Sequence, residues 1–487
     1  MNNLTYTILN SGKEIPESVF LECENNPLSW KEITILVNKR VNQFTKEGLK
    51  TGDKIIVATG RGNNVWIDMM SIWFIGAIVV PLEYEVTEET LNKIVKKVQP
   101  KALCGDFEKA KVLNYDIKFI QELNPENEDI SDKEIIDLPE ESLAMILFTS
   151  GSTGEPKGVM LTHKSLLLNA ESTKKVLKLN STHRLFMAIP FRFVSAISHF
   201  LVAALSNTTL LGTEKKYFKG DYIQTIKDVN ANATGGSPIQ ARWIAETIQN
   251  EKLNINWVMS SGDHFAKEVI ELFLLNAPEI RVNVVYGLTE LAGRFCIAPF
   301  EELKDNLGSV GKPIEGLEVL ILNDDYLPAK INETGHVFAR GKMVFKGYYE
   351  DLETSNEALL KEGFKTGDMG RMDENGWLYL SGRSDDVFKY AGIKVSTLPI
   401  RDALMDSGYF KDVAVVPKEH PVIGQVPFVY YVLNNEKSFE KGKILKFLRQ
   451  TLAPNQLPEG FSPITEIPRT GSGKIDRRKL KEIIENN

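Results

Sequence analysis

The chain has 487 residues, of which 43% are hydrophobic and 25% are charged, and its formal net charge is −7 at pH 7. This length predicts two to four domains or subdomains, and the composition is ordinary for a soluble globular enzyme. The negative net charge argues against general nucleic-acid binding, so no nucleic-acid partner is expected.

Helices and strands alternate through the first hundred residues. Ser29 is a suitable cap for the first helix. The predicted helices cover residues 29–48, 64–75 and 88–98. The predicted strands cover residues 54–58, 77–82 and 102–104. Such alternation predicts a mostly parallel sheet in a layered α/β fold.

An apolar run at residues 143–148 predicts a buried strand that leads into a loop rich in glycine and hydroxyl residues. Glycines let a backbone approach a ligand closely, and successive N–H groups in such a turn bind anions. A lysine adds a point charge suited to phosphate. The spacing differs from the common nucleotide loop, and a glycine-rich loop alone is also typical of a surface turn. The candidate phosphate-binding residues are Thr149, Ser150, Gly151, Ser152, Thr153, Gly154 and Lys157.

The full string at residues 147–159 closely resembles the phosphate loop of the AMP-forming adenylation superfamily. That family includes acyl-CoA synthetases, aryl-CoA ligases, luciferases and peptide-synthetase adenylation domains. Further motifs follow in the family's order, and the resemblance covers about residues 25–480. The fold it implies is α/β: a large N-terminal domain of stacked sheets with a β-barrel subdomain (residues 1–384), and a small mobile α+β C-terminal domain (residues 385–487).

Residues 286–290 resemble the family's Tyr-Gly-x-Thr-Glu motif. The resemblance implies that Tyr286 and Gly287 bind the adenine, that Thr289 contacts the α-phosphate and that Glu290 holds Mg²⁺. A carboxylate and hydroxyls suit a hard cation that bridges phosphates. The family often has Asn two residues before the tyrosine, whereas this chain has Val284, so that adenine contact comes from backbone or is absent. By the same resemblance, Ser261 and Gly262 line one face of the adenine.

Residues 188–195 resemble the family's substrate-side motif, in which Phe193 takes the place of a gating aromatic or His. A core aromatic is the alternative for Phe193. Adenylation domains that take α-amino acids have Asp where this chain has Val194, and that Asp pairs with the buried ammonium. An α-amino acid substrate is therefore not expected. The implied acid pocket comprises Phe193, Val194, Ser195, Gly235 and Gly236.

Five matched residues lie near and beyond the predicted domain boundary. In the family, Asp368 would accept hydrogen bonds from both ribose hydroxyls, and Arg383 would contact ribose or phosphate. Asp385 would be the hinge of the C-terminal domain, and Lys389 would enter the site for thioester formation. Lys474, near the end of the chain, matches the family's catalytic lysine. Pro399 stands where a Glu is usual, which puts the usual acceptor surface in doubt.

Charge and cysteine usage suggest the setting of the protein. Residues 386–487 carry 16 Lys and Arg against 12 Asp and Glu, a net of +4, which leaves −11 for the rest. A basic C-terminal part suits an acidic partner such as coenzyme A or a carrier protein, although a solvated surface explains it equally well. Three widely spaced cysteines form no metal or redox motif, and we find neither a signal peptide nor a membrane span. A cytoplasmic location is expected.

The resemblance implies a ligase that uses ATP and Mg²⁺ and works in two half-reactions. A small-molecule carboxylic acid is first converted to acyl-AMP with release of pyrophosphate, and a thiol then attacks to give a thioester. Three alternatives stay open at this point. The chain is an acyl- or aryl-CoA ligase, or it loads a carrier protein's phosphopantetheine, or it is a non-catalytic relative. The presence of Glu290, Asp368, Arg383 and Lys474 together argues against the third.

Overall fold

A computed structural model describes most of the chain and divides it into two compact units. The first unit comprises residues 1–318 and 339–364, and the second comprises residues 319–338 and 365–487. The structure leaves out the side chains of residues 150, 387, 389, 393 and 394. It describes all residues except 1, 61, 84, 106–116, 132, 151–155, 214, 216, 264, 385–386, 392, 423, 435–436, 470–474, 477–478, 481–482 and 484–487.

The α-helices and strands of the described residues follow in chain order. The helices are α1 (Leu4–Ser11), α2 (Trp30–Lys46), α3 (Asn63–Phe74), α4 (Glu88–Val98), α5 (His163–Leu177), α6 (Val194–Leu205), α7 (Lys219–Asp228), α8 (Pro238–Thr247), α9 (Lys267–Asn276), α10 (Phe300–Leu303), α11 (Leu352–Ala358), α12 (Thr397–Asp406) and α13 (Lys441–Leu448). The strands are β1 (Val19–Cys23), β2 (Asn26–Ser29), β3 (Lys54–Ala58), β4 (Ile78–Leu82), β5 (Ala102–Cys104), β6 (Lys118–Ile120), β7 (Leu143–Ser150), β8 (Pro156–Thr162), β9 (Arg184–Ala188), β10 (Thr209–Thr213), β11 (Ala233–Gly236), β12 (Trp257–Ser261), β13 (Arg281–Tyr286), β14 (Cys296–Ala298), β15 (Lys312–Pro313), β16 (Leu317–Leu322), β17 (Gly335–Gly341), β18 (Leu359–Leu360), β19 (Gly363–Met372), β20 (Leu378–Arg383), β21 (Val387–Tyr390), β22 (Ile393–Ser396), β23 (Phe410–His420), β24 (Gly424–Leu433) and β25 (Gly460–Pro463).

The helices and strands predicted in the first hundred residues are confirmed within two residues at each end. Helix α2 begins where the sequence predicted because Ser29 and Glu32 form a capping box. The Ser29 side chain accepts from the Glu32 N–H, and the Glu32 carboxylate accepts from the Ser29 N–H at 2.8 Å. Two N–H groups that the helix itself leaves without partners are thereby satisfied.

The first unit contains two sheets that are parallel in their centres, as predicted. The nine-stranded sheet has the order β15-β14-β13-β12-β11-β9-β10-β1-β2, and the six-stranded sheet has the order β6-β5-β3-β4-β7-β8. Antiparallel pairing is confined to β1 with β2, β7 with β8, and β13, β14 and β15 in series. Helix α4 covers the six-stranded sheet, and Leu91, Ile94 and Val95 pack against strand residues such as Ile56 and Val80.

The second unit contains its own sheet and core. Strands run in the order β22-β21-β24-β23, with β25 beside β24. Helices α12 and α13 cover this sheet through a buried apolar cluster that includes Phe388, Leu404, Val413, Val429 and Leu448. The unit also holds the antiparallel pair formed by β19 and β20.

The mixed α/β fold class predicted from the sequence, with a large N-terminal domain and a C-terminal domain, is confirmed. The boundary after residue 384 stays a prediction. Among the described residues, no helix combines the length and the apolar character needed to cross a bilayer.

Candidate active site

The predicted phosphate loop joins two antiparallel strands, β7 and β8. Thr149 lies opposite Lys157 in the register of these strands, and its Oγ1 donates to the Lys157 carbonyl at 3.5 Å. The two ends of the loop are therefore paired by the backbone. The four loop residues Gly151, Ser152, Thr153 and Gly154, and the side chain of Ser150, lie outside what the structure describes.

A tyrosine that the sequence analysis did not single out lies between Lys157 and Glu290. The Tyr348 hydroxyl donates to Glu290 Oε1 at 2.9 Å, and the Lys157 ammonium lies 5.5 Å from the centre of the Tyr348 ring. Backbone bonds hold the segment around Tyr348 on both sides. Phe345 N donates to the Glu290 carbonyl at 2.8 Å, and Tyr349 N donates to the Gly158 carbonyl at 2.7 Å. The predicted phosphate lysine and the predicted metal-binding carboxylate thus meet at one buried aromatic ring.

Glu290 and Thr289 lie in a single 3-10 turn directly after β13. Their carboxylate and hydroxyl oxygens fit Mg²⁺, which is commonly held by one or two carboxylates together with water and substrate phosphates. The described part of the chain has no cluster of three or more His, Cys, Asp or Glu that could hold a metal by itself. The donor set therefore suits a cation that arrives with a nucleotide rather than a metal held by protein ligands alone.

The backbone around Tyr286 is tightly folded. The ring of Tyr286 lies 5.6 Å from that of Phe295, and Phe295 N donates to the Tyr286 carbonyl at 2.9 Å. A Cβ atom on Gly287 would lie 1.9 Å from the Gly293 carbonyl oxygen, so no other residue fits this position without a backbone shift. Phe295 packs against Tyr286, and Tyr286 remains partly accessible.

Four predicted segments lie at the carboxyl ends of neighbouring parallel strands. Strands β13, β12, β11 and β9 are adjacent in this order and all parallel. Ligands bind at this edge in open α/β sheets. The segments are residues 286–290 after β13, 261–262 at β12, 235–236 at β11 and 193–195 after β9.

The predicted acid-pocket residues have close neighbours. A Cβ on Gly235 would lie 2.1 Å from His199 Nε2, and one on Gly236 would lie 2.1 Å from Gln240 Oε1, so these side chains occupy the space that larger residues would need. Phe193 caps helix α6 without a side-chain hydrogen bond, and the Arg192 guanidinium lies 4.4 Å from its ring centre. Phe193 is thus half-buried at the strand-to-helix turn and does not belong to the fully buried core.

Beneath these loops lies a buried pair, Arg294 and His199, that the sequence analysis missed. Arg294 is 2% exposed, and its guanidinium donates to Ser261 Oγ at 3.2 Å and to the Ser195 carbonyl at 3.4 Å. It also lies 3.0 Å from His199 Nδ1. Burial lowers the pKa of Arg294 to about 10, so the group stays charged at neutral pH. Burial, followed by the charge of Arg294, lowers the pKa of His199 to about 3, so the imidazole is neutral.

In the second unit, the two predicted ribose-binding residues lie side by side. Asp368 in β19 is directly opposite Arg383 in β20, and the guanidinium donates to Asp368 Oδ1 at 3.2 Å. The same guanidinium donates to the Thr366 carbonyl at 3.1 Å, and Thr366 Oγ1 accepts from Asp368 N at 3.1 Å. Asp385, Lys474 and the side chain of Lys389 lie outside the described residues, so their roles rest on the sequence.

Comparison with known proteins covers most of the chain. The family model for AMP-binding enzymes matches residues 10–349, and the model for the C-terminal domain of AMP-binding enzymes matches residues 400–474. A putative acyl–CoA ligase of Bacillus subtilis, YdaB, is 23% identical and is aligned over 99% of both chains.

Two solved structures are similar in fold. Anthranilate CoA ligase AuaEII in complex with anthranoyl-AMP has a TM-score of 0.90 and 19% identity, covering 99% of this chain and 97% of its own. The o-succinylbenzoate CoA synthetase of Bacillus subtilis with its acyl-adenylate has a TM-score of 0.87 and 20% identity, covering 98% and 97%. Other structures of this synthetase contain ATP with a magnesium ion, or AMP. Because the family model matches well over half of its length, this chain belongs to the AMP-binding enzyme family.

Proposed function

We propose that this enzyme is an AMP-forming acid–thiol ligase that activates a carboxylic acid without an α-ammonium and transfers the acyl group to coenzyme A. The observation that carries the proposal is the convergence of Lys157, Tyr348 and Glu290 beside the predicted phosphate loop. The names of the similar proteins, which are CoA ligases, support the same reaction class.

In the first half-reaction, a carboxylate oxygen of the acid bonds to the α-phosphorus of ATP, and the bond to pyrophosphate breaks. A carboxylate is already a nucleophile, so the protein's task is positioning and charge stabilisation. Lys157, Lys474 and the N–H groups of the loop oppose the negative charge that develops, while Thr289 contacts the α-phosphate. Glu290 would hold Mg²⁺, which would supply positive charge that stabilises the phosphates. Tyr286 would stack on the adenine.

In the second half-reaction, the thiol sulfur bonds to the acyl carbon, and the bond to AMP breaks. Lys389 would enter the site at this stage by rotation about Asp385, since Lys474 and Lys389 belong to the same small domain and serve different steps. The net charge of +4 on residues 386–487 suits the phosphates of coenzyme A. A carrier protein's phosphopantetheine is the alternative acceptor, and the test below separates the two.

The proposal is tested by measuring pyrophosphate release and thioester formation across a panel of acids. Pyrophosphate release is expected only when ATP and an acid are both present, and acid-dependent thioester is expected with coenzyme A. α-Amino acids are expected to give no release above background, because an ammonium facing Val194 would be buried without a partner, at a cost of several kcal/mol. If thioester forms on a phosphopantetheine-bearing carrier protein but not on coenzyme A, the proposal that coenzyme A is the acyl acceptor is refuted. Efficient activation of an α-amino acid would refute the proposal that the substrate lacks an α-ammonium.

Tyr348→Phe is expected to raise the Mg²⁺ concentration needed for half-maximal pyrophosphate release about tenfold. The change removes the O–H group that orients Glu290 and keeps the ring beside Lys157. Partners that orient a metal-binding carboxylate are typically worth 10- to 100-fold in metal affinity. The measurement is a Mg²⁺ titration at saturating ATP and acid.

Tyr349→Phe is the matched control for this titration. The Tyr349 hydroxyl accepts from the Lys54 ammonium at 3.1 Å, and Tyr349 is the next residue along the chain. Its removal should leave the Mg²⁺ requirement unchanged. If the two variants shift the Mg²⁺ requirement equally, the contact with Glu290 has no part in holding the cation.

A further inference from the structure

Among the described residues, the buried Arg294 guanidinium has no negatively charged partner. Its hydrogen-bond partners, Ser261, Ser195 and His199, are all neutral. Burial is the cause of its lowered pKa, and its Nε has no partner among the described residues. A buried charge is unfavourable unless something pairs with it.

Two other arginines of this chain, one buried and one half-buried, have carboxylate partners. Arg40 is fully buried, and its Nε donates to Asp68 Oδ1 at 2.7 Å. Arg281, at the start of β13, donates to both carboxylate oxygens of Glu301 at 2.6 and 2.7 Å. Arg294 therefore differs from Arg40 and Arg281, because the described residues supply no carboxylate to its guanidinium.

The position of Arg294 indicates where that partner binds. Two of its contacts, Ser195 in the first turn of α6 and Ser261 at the end of β12, lie at the strand ends where the acid and nucleotide are proposed to bind. The neighbouring His199 has its Nε2, which has no hydrogen-bond partner among the described residues, next to Gly235 in β11. The charge therefore lies directly beneath the proposed acid pocket.

A small cavity on one side of Arg294 does not provide the partner. Its volume is about 10 Å³, which is room for one water molecule at most. Apart from Arg294, its lining is mainly apolar and includes Leu177, Val202, Trp257 and Met259. A carboxylate does not fit there, so this cavity is not the binding site, and the contacts with Ser195 and Ser261 mark the side of Arg294 that faces the proposed acid pocket.

We infer that the acid activated by this enzyme carries a second carboxylate, and that Arg294 binds it. The inference rests on the proposed function, because the first carboxylate is the one that attacks ATP. It also agrees with Val194: where the pocket of an amino-acid-activating enzyme carries a negative charge, this pocket carries a positive one. Arg294 is thus a specificity-determining residue, and a dicarboxylic acid supplies the counter-charge that the fold lacks.

The test compares dicarboxylic acids with monocarboxylic acids of the same skeleton, such as glutarate with valerate, succinate with butyrate, and 3-(2-carboxyphenyl)propionate with 3-phenylpropionate. For at least one pair, kcat/KM for pyrophosphate release should favour the dicarboxylic acid about 100-fold, since a site built for a polar group strongly rejects the analogue that lacks it. Arg294→Met should abolish or reverse that preference. Arg294→Lys keeps the positive charge, so this variant should still prefer the dicarboxylic acid.

Two controls distinguish lost recognition from lost structure. Arg281→Met removes a guanidinium from the opposite end of β13, away from the pocket, and should leave the preference unchanged. The thermal shift produced by ATP should be the same in Arg294→Met as in the wild type, which shows that the variant is folded and binds nucleotide.

The inference is overturned if wild-type enzyme prefers the monocarboxylic acid in every pair, which would leave the proposed ligase function standing. It is also overturned if Arg294→Met lowers both members of a pair equally, because Arg294 would then serve the reacting groups. Absence of pyrophosphate release with any acid would refute the ligase function and this inference together.

Discussion

Replacing Lys474 with alanine is expected to lower acid-dependent pyrophosphate release about 100- to 1000-fold, the size typical of one lost transition-state contact. The lysine would bridge the attacking carboxylate and the phosphates of ATP in the first half-reaction. It should have no such role in the second, where the phosphate is already part of the leaving AMP. Thioester formation from supplied acyl-AMP should therefore continue at close to the wild-type rate.

Both half-reactions should be measured on one preparation of each variant. Lys479→Ala is a matched control, because Lys479 is an exposed lysine only five positions further along the chain. It should leave both rates unchanged. An equal loss of both half-reactions in Lys474→Ala would show that the lysine supports the fold or the whole site, and would contradict a specific role in adenylation.

The sequence predicted those parts of the site that follow from local patterns. The turn at Thr289 and Glu290 directly after a buried strand, and the glycines that end β11, are such patterns. A strand end is a local property, and the adjacency of parallel strand ends follows from the fold class. For this reason the structure places four of the predicted segments along one edge of the sheet.

The missed residues depend on contacts between distant parts of the chain. Tyr348 is 58 positions from Glu290, so no local pattern in the sequence connects the two residues. Arg294 is close to Glu290 in sequence, but its importance comes from burial and from the absence of a carboxylate, and both depend on tertiary packing. Val194 in place of Asp indicates only that a negative charge is missing, whereas the charge beneath the pocket is basic and comes from the segment between β13 and β14.

Long-range contacts also decide which segments of the chain form the second unit. Residues 319–338 belong to it together with residues from 365 onward. Thr366 Oγ1 donates to the Val337 carbonyl at 2.8 Å, and the Lys365 ammonium donates to the Tyr326 hydroxyl at 2.9 Å. A motif gives one position along the chain, so it cannot indicate that an earlier segment returns to the same compact unit.

Asp368→Ala is expected to lower kcat/KM for ATP at least about 100-fold. The Asp368 carboxylate would accept a hydrogen bond from each ribose hydroxyl, and bonds to a charged group are each worth about 1.5 to 3 kcal/mol. Asp368 is only 8% exposed, and Arg383 and Thr366 already hold it in place. Little reorganisation is then needed when the ribose binds. Glu374→Ala, which removes an exposed carboxylate from the turn between β19 and β20, should have no effect.

Deoxynucleotides separate a ribose contact from a general loss of stability or charge. Wild-type enzyme should discriminate against 2′-deoxy-ATP and 3′-deoxy-ATP, because each lacks one hydroxyl that the carboxylate binds. In Asp368→Ala this discrimination should disappear. The hydroxyl and the carboxylate interact only when both are present, so removing one of them makes removal of the other neutral. Arg383→Met keeps the carboxylate and should keep most of the discrimination, even if ATP binding weakens. If Asp368→Ala still discriminates against the deoxynucleotides as strongly as the wild type, Asp368 does not bind the ribose, and the pair with Arg383 serves only the sheet formed by β19 and β20.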